Sequence, residues 1–165
     1  MEGYIDDLLR RIADEETDIW HRAYDEAKAL NDLLIFPYLQ GKLSKAKKVS
    51  MKKDIYYLMT KLAINTKEIC IADYLIDCLE YEDSTTLLSE LLSNIYTLPV
   101  VSSTNKIIPY IYHKNDSVRF LHKFVDREEV LKTFDKVYKK RGNLFMSERK
   151  WLRDNIAYFQ EKDRM

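Results

Sequence analysis

Residues 105–125 read NKIIPYIYHKNDSVRFLHKFV. The apolar run around Pro109 predicts the tail of one helix, His113 to Asp116 a short polar corner, and Ser117 the start of a second helix packed against the first. An earlier stretch, LIFPYL at 34–39, echoes the IIPYI of 107–111: an apolar pair, a proline, a tyrosine, an aliphatic. Such an echo points to a two-helix unit that repeats along the chain.

Working outward, DSTTLLSELLSNI (83–95) aligns with DSVRFLHKFVDRE (116–128) at an offset of 33 residues. That frame sets Leu88 against Leu121, Leu91 against Phe124 and Leu92 against Val125. A second step of 33 brings in SMKKDIYYLMTKL (50–62), with Ile55, Leu58 and Met59 in the same three slots. A helix pair of this length cannot close a core alone. Stacking on its neighbours supplies the burial, which predicts an all-α solenoid.

Among helical repeats the chain resembles HEAT and armadillo-like proteins over residues 30–128. The residues that carry the likeness are Pro37 and Pro109 in the first helix of a pair, the aliphatics around them, and the corner aspartates Asp83 and Asp116. Val118-Arg119 then opens the second helix in a D-x-V-R pattern similar to the HEAT consensus. The middle unit departs from it, with Ile76 in the proline slot and Thr85-Thr86 for Val-Arg, and the first unit has a lysine stretch where the corner aspartate would fall. The period is also shorter than the roughly 40–47 residues of HEAT repeats. Tetratricopeptide and ankyrin signatures are absent.

The resemblance implies a right-handed α–α superhelix forming a single domain over 1–165. It would hold roughly seven or eight helices, three pairs with capping helices at the ends. It further implies a non-catalytic protein that binds a partner through its second helices, as an adaptor, an inhibitor or an immunity-type protein. In HEAT-like arrays those helices line the concave face. Here their non-core side carries Tyr57, Lys61, Glu90, Asn94, Arg119 and Lys123. Asp116 and Arg119 match residues that stitch adjacent repeats at the corners of that family.

Composition agrees with a helical object. At 46% hydrophobic and 33% charged residues the balance is that of a globular chain with one core. Only 3 Gly and 3 Pro leave few tight turns, and sheet-rich folds need many. The opening MEGYIDDLLRR carries acids where a signal peptide would carry bases, and no run of apolar residues is long enough for a membrane span. Cys70 and Cys78 are the only cysteines; eight apart on one predicted helix, they stand about 12 Å apart, too far for a disulfide. They read as small buried hydrophobes in a reducing compartment, hence a cytoplasmic protein, monomeric or weakly self-associating.

Net charge is zero, but it is laid out in blocks. Residues 1–32 hold ten acids against four bases, 33–65 seven bases against one acid, 66–90 seven acids against one base, and 91–165 fifteen bases against nine acids. Alternation on this scale either laces neighbouring helices together or stripes a surface.

The chain in order predicts an amphipathic helix over 3–15 (Ile5, Leu8, Leu9, Ile12), then one capped by Thr17 or Asp18 and running to about Pro37. Gly41 to Ser50, GKLSKAKKVS, is the longest polar interval and predicts a loop. Helices follow from Met51 to Asn65 and from Lys67 to Tyr81. The latter is apolar almost all round and predicted to be central. Ser84 caps the next helix, which Pro99 stops, and 100–104 is a connector. Past residue 125, a helix is predicted over 128–141, ended by Gly142 and Asn143, and Ser147 caps a last one.

No phosphate-loop, dinucleotide, zinc or nucleophile-elbow motif occurs, so no enzyme activity and no cofactor is predicted. His21, His113 and His122 lie far apart; His122 with Asp126, Cys70 or Glu128 has no ligand spacing of a known metal site, and they read as surface or half-buried side chains. The alternative to a protein partner is nucleic acid. Lys42, Lys45, Lys47, Lys48, Lys52 and Lys53 put six positive charges in twelve residues without an acid, as phosphate contacts require. Against that, a zero net charge disfavours a dedicated nucleic-acid binder, and a solvated loop explains the lysines too. The 12 tyrosines fit an interface surface, or a core edge with wet hydroxyls.

Overall fold

The computed structural model of the chain describes residues 1–99, 101–102, 104–111, 124–140 and 146–161. Among these the structure is all-α, with nine helices and no strand. Contacts divide the chain into two compact units, Met1–Ser103 and Thr104–Met165.

The first unit holds α1 (Glu2–Ile12), α2 (Thr17–Ala27), α3 (Ile35–Lys45), α4 (Val49–Thr66), α5 (Ile69–Cys78) and α6 (Thr85–Thr97). In α1 the stripe Ile5, Leu8, Leu9, Ile12 is buried, as its spacing requires. Its polar side is laced to α2 by Arg11, which meets Glu26 at 2.7 Å while also holding Asp7. The second helix ends at Ala27, earlier than predicted. Leu33 and Leu34 are 45% and 69% exposed, so the periodic run seen in the sequence does not continue across this turn. Pro37 instead stands in the first turn of α3, where its missing N–H costs nothing because first-turn donors have no helical acceptor.

The basic stretch 41–50 is not a loop. Helix α3 runs on to Lys45 and α4 starts at Val49, leaving only Ala46 to Lys48 between them. The reason is a sparse apolar stripe under the lysines: Leu39, Leu43 and Ala46 are all buried. Gly41 faces open space and neither kinks nor ends the helix.

The most enclosed helix is α4, not α5. It packs against α1, α3, α5 and α6, and Ile55, Tyr56, Leu58, Met59, Leu62 and Ala63 are buried. It closes on Lys67, a left-handed residue (φ 59°) whose N–H bonds the Ala63 carbonyl at 2.9 Å. Asn65 ties its end to the α2–α3 turn, donating to the Lys28 and Leu30 carbonyls at 2.7 Å each. In α5, Ile71, Ala72, Leu75, Ile76 and Cys78 face inward, whereas Ile69 and Cys70 are exposed. Only one of the two free thiols is therefore a buried hydrophobe, and burial pushes the Cys78 thiol up to about 11.

Ser84 caps α6, accepting from the Leu87 N–H, and Leu98 is extended ahead of Pro99 as a pre-proline residue must be. In α2, by contrast, the cap position falls to Glu16, whose side chain makes no cap bond. Beyond Pro99, Val101 is buried and Ser102 is held by the Asp73 carboxylate through its N–H at 3.0 Å and its hydroxyl.

The second unit comprises α7 (Thr104–Ile111), α8 (Arg127–Lys139) and α9 (Met146–Glu161). Asp126 caps α8 by accepting from the Glu128 N–H at 2.7 Å. Acids in the first turn of α8 and lysines in its last suit the helix dipole. Val130, Phe134 and Leu152 form the core of this unit, with Ile108, Trp151 and Phe159 packed around it. Ser147 is inside α9 instead of capping it. The predicted corner at His113–Asp116, the helix from Ser117 and the Gly142-Asn143 stop lie outside the described residues.

Candidate functional site

Within the first unit, helices α4 and α6 pack directly on one another. On the side of α4 nearest α2, three aromatic rings form a chain. Trp20 meets Tyr24 at 4.6 Å between centroids, and Tyr24 meets Tyr57 at 4.7 Å, both tilted. The Lys61 ammonium, one turn beyond Tyr57, sits 5.0 Å from that ring's centroid. His21 is exposed and stands edge-on to Trp20 at 4.5 Å.

Beside this chain opens a cleft of about 400 Å³. Tyr24 and Tyr57 line it from one side, Glu90 and Asn94 from α6, and Ser50, Lys53 and Asp54 from the start of α4. Lys53 pairs with Glu90 at 3.1 Å across the two helices. Asp54 has no such partner among the described residues. Its burial, reinforced by the nearby Glu90 charge and only partly offset by Lys53, pushes its carboxyl up to about 6. Burial also raises the Tyr24 phenol, helped by the charge of Asp54, and burial raises that of Tyr57. Asn94 is 9% exposed, and its Nδ2 is buried with no hydrogen-bond partner among the described residues. A buried amide donor left unmade costs free energy, so the position calls for an acceptor.

Four of the six residues expected to face a partner therefore come together: Tyr57, Glu90 and Asn94 line the cleft, and Lys61 covers Tyr57. Arg119 and Lys123 lie outside the described residues. Tyr24 and Asp54 were missed by sequence reasoning. Tyr24 shares helical spacing with Trp20 and Ala27, the pattern of a core stripe, and Asp54 is the single acid of the 33–65 block.

The six lysines of the alternative do not form one free basic surface. Lys42 pairs with Asp6 at 2.6 Å and lies over the Tyr38 ring, Lys52 pairs with Glu82 at 2.9 Å, and Lys53 pairs with Glu90. The positive block is thus tied to the acidic blocks on both sides of it in sequence. Lys45, Lys47 and Lys48 are exposed and meet no acid among the described residues. Lys42 and Lys45 also border a second cleft of about 590 Å³ with Tyr38, Pro37 and Met1.

No group of three or more histidine, cysteine, aspartate or glutamate side chains poised to hold a metal occurs among the described residues. No described helix is long and apolar enough to cross a membrane. Comparison with protein-family models, with curated proteins and with solved structures gives no match.

Proposed function

We propose that the chain is a HEAT-like helical-repeat protein, a right-handed α–α superhelix, that binds a partner protein without catalysing a reaction, as an adaptor, inhibitor or immunity-type protein. The binding surface is the exposed side of α4 and α6 around Tyr57. One observation carries the reading: Tyr24, Tyr57, Glu90 and Asn94, drawn from three helices, line one cleft beside the packed helices α4 and α6, and Lys61 lies over the Tyr57 ring outside that lining. Half-buried tyrosines with charged groups around an under-satisfied polar side chain are what partner surfaces favour. The repeat is supported by Leu58 and Met59 on α4 and Leu91 and Leu92 on α6, which are buried in matching slots; in the third slot Ile55 is buried but Leu88 is only half-buried. Free thiols at Cys70 and Cys78 support a cytoplasmic setting.

The test is capture of the partner from the native host at about 0.1 M and about 0.5 M salt, with bound nucleic acid read by ultraviolet absorbance. Expected is a protein retained at both salts and lost with Tyr57→Ala, a change that should cost about 2 kcal/mol or more of binding. Retention of the partner by Tyr57→Ala would overturn this face. Nucleic acid captured only at low salt, and lost when Lys45, Lys47 and Lys48 become glutamine, would favour the alternative. The exposure of those three lysines is the observation on its side, and the pairing of the other three weighs against it.

A further inference from the structure

We infer that the cleft between α2, α4 and α6 receives one arginine side chain of the partner protein, with Asp54 as its counter-ion. The inference rests on the partner-binding reading above and names what that face recognises. Charge gives the sign of the occupant. Asp54 and Glu90 bring two negative charges into the cleft, and the Lys53 ammonium, at 3.1 Å from Glu90, balances one of them. Asp54 itself makes no ion pair among the described residues, with Lys53 held by Glu90, so one half-buried negative charge has no salt-bridge partner there. A buried unpaired carboxylate is costly, and a cation that enters the cleft removes that cost.

The walls give the class of cation. Tyr24 and Tyr57 stand 4.7 Å apart as two tilted rings, and a planar, weakly hydrated guanidinium stacks against such surfaces better than a compact ammonium. Its several donors also match the oxygens of Asp54 and Ser50 in a way a single ammonium does not.

The probe is Nα-acetyl-arginine methylamide, titrated into the full chain and followed by ¹H–¹⁵N NMR of the Asn94 side-chain amide and the amides of Ser50 to Tyr57. Blocked norleucine, blocked lysine and putrescine serve as comparisons. Saturable shifts with the arginine derivative are expected, weakened by more than about tenfold in Asp54→Asn and unchanged in Glu80→Gln, an exposed acid elsewhere in the unit. Equal binding of the norleucine derivative would reduce the site to an apolar contact and overturn the inference. Equal binding of putrescine would overturn the partner's arginine in favour of a free amine. If the arginine derivative fails while Tyr57→Ala still abolishes partner capture, the guanidinium site falls and the binding face stands. If the derivative binds but neither Asp54→Asn nor Tyr57→Ala affects capture, both the occupant and the face fall.

Discussion

Glu82, from the turn between α5 and α6, and Asp54, on α4, are both acids drawn out of water beside the same two turns of one helix. Glu82 is the more enclosed, with its side chain 5% exposed, and it is fully engaged. Lys52 reaches its two oxygens at 2.9 and 3.1 Å, and the buried Tyr56 hydroxyl donates to it as well. Asp54, only two residues from Lys52 in sequence, receives no such company. Its neighbour Lys53 is spent on Glu90, and no donor among the described residues bonds it. The contrast separates a carboxylate that holds the fold together from one that the fold leaves waiting. A satisfied buried acid explains itself by the contacts it makes. An unsatisfied one imposes a cost that a proton or an incoming cation removes.

Truncating the apolar core of α6 should have the largest effect. Leu91, next to Glu90 on α6, is fully buried, so Leu91→Ala should cost about 2–5 kcal/mol in urea unfolding at unchanged slope. A loss under about 0.5 kcal/mol would take Leu91, and with it the repeated triplet, out of the core. Glu82→Ala comes next. It strands Lys52 and leaves the Tyr56 hydroxyl without its acceptor, and should cost about 3 kcal/mol, near the lower end for breaking a buried pair because Lys52 still reaches water. If Glu82→Ala proved neutral, the distinction between the two acids would collapse.

How far the sequence foretold this depends on which physical signal each feature leaves. Strong stripes did so: Ile5, Leu8, Leu9 and Ile12 in α1 and Leu87, Leu91, Leu92 and Ile95 in α6 are buried as their spacing demands. So did Ser84 and Pro99, whose chemistry starts and stops a helix by itself. The lysine stretch misled because exposed charges outnumber the few buried positions, Leu39, Leu43 and Ala46, that make it helical. The apolar character of α5 likewise overstated its burial, since Ile69 and Cys70 face outward; what decides enclosure is the number of neighbours, and α4 has the most. The site was half legible. Periodicity placed Tyr57, Lys61, Glu90 and Asn94 on one side of their helices, but only a tertiary contact, the Tyr24–Tyr57 ring pair between α2 and α4, brings Tyr24 to them. Periodicity also gave no hint that Asn94 would be buried, because one polar residue among Leu91, Leu92 and Ile95 leaves the helical pattern unchanged.

The smallest effect is expected from Asp54→Asn. It should raise stability at pH 7 by about 1 kcal/mol, less than a fully enclosed group would give because the cleft admits water. The sign follows from the carboxyl being pushed up to about 6 from an ordinary 3.8. The folded chain binds this proton more tightly than the unfolded one, so Asp54 favours folding most below about pH 4. That contribution declines as pH rises through about 6 and is gone above it. The groups that set this behaviour face Asp54 from two helices: Lys53 beside it on α4, which lowers the carboxyl, and Glu90 on α6, which raises it. Urea midpoints of the native chain should therefore fall between about pH 4 and pH 7 relative to those of Asp54→Asn, with the two converging at the acid end. Added arginine derivative should lower the Asp54 pKa and flatten the difference, since an occupied cleft no longer leaves the charge unpaired. An unchanged gap at saturating derivative would show that whatever binds there does not touch Asp54.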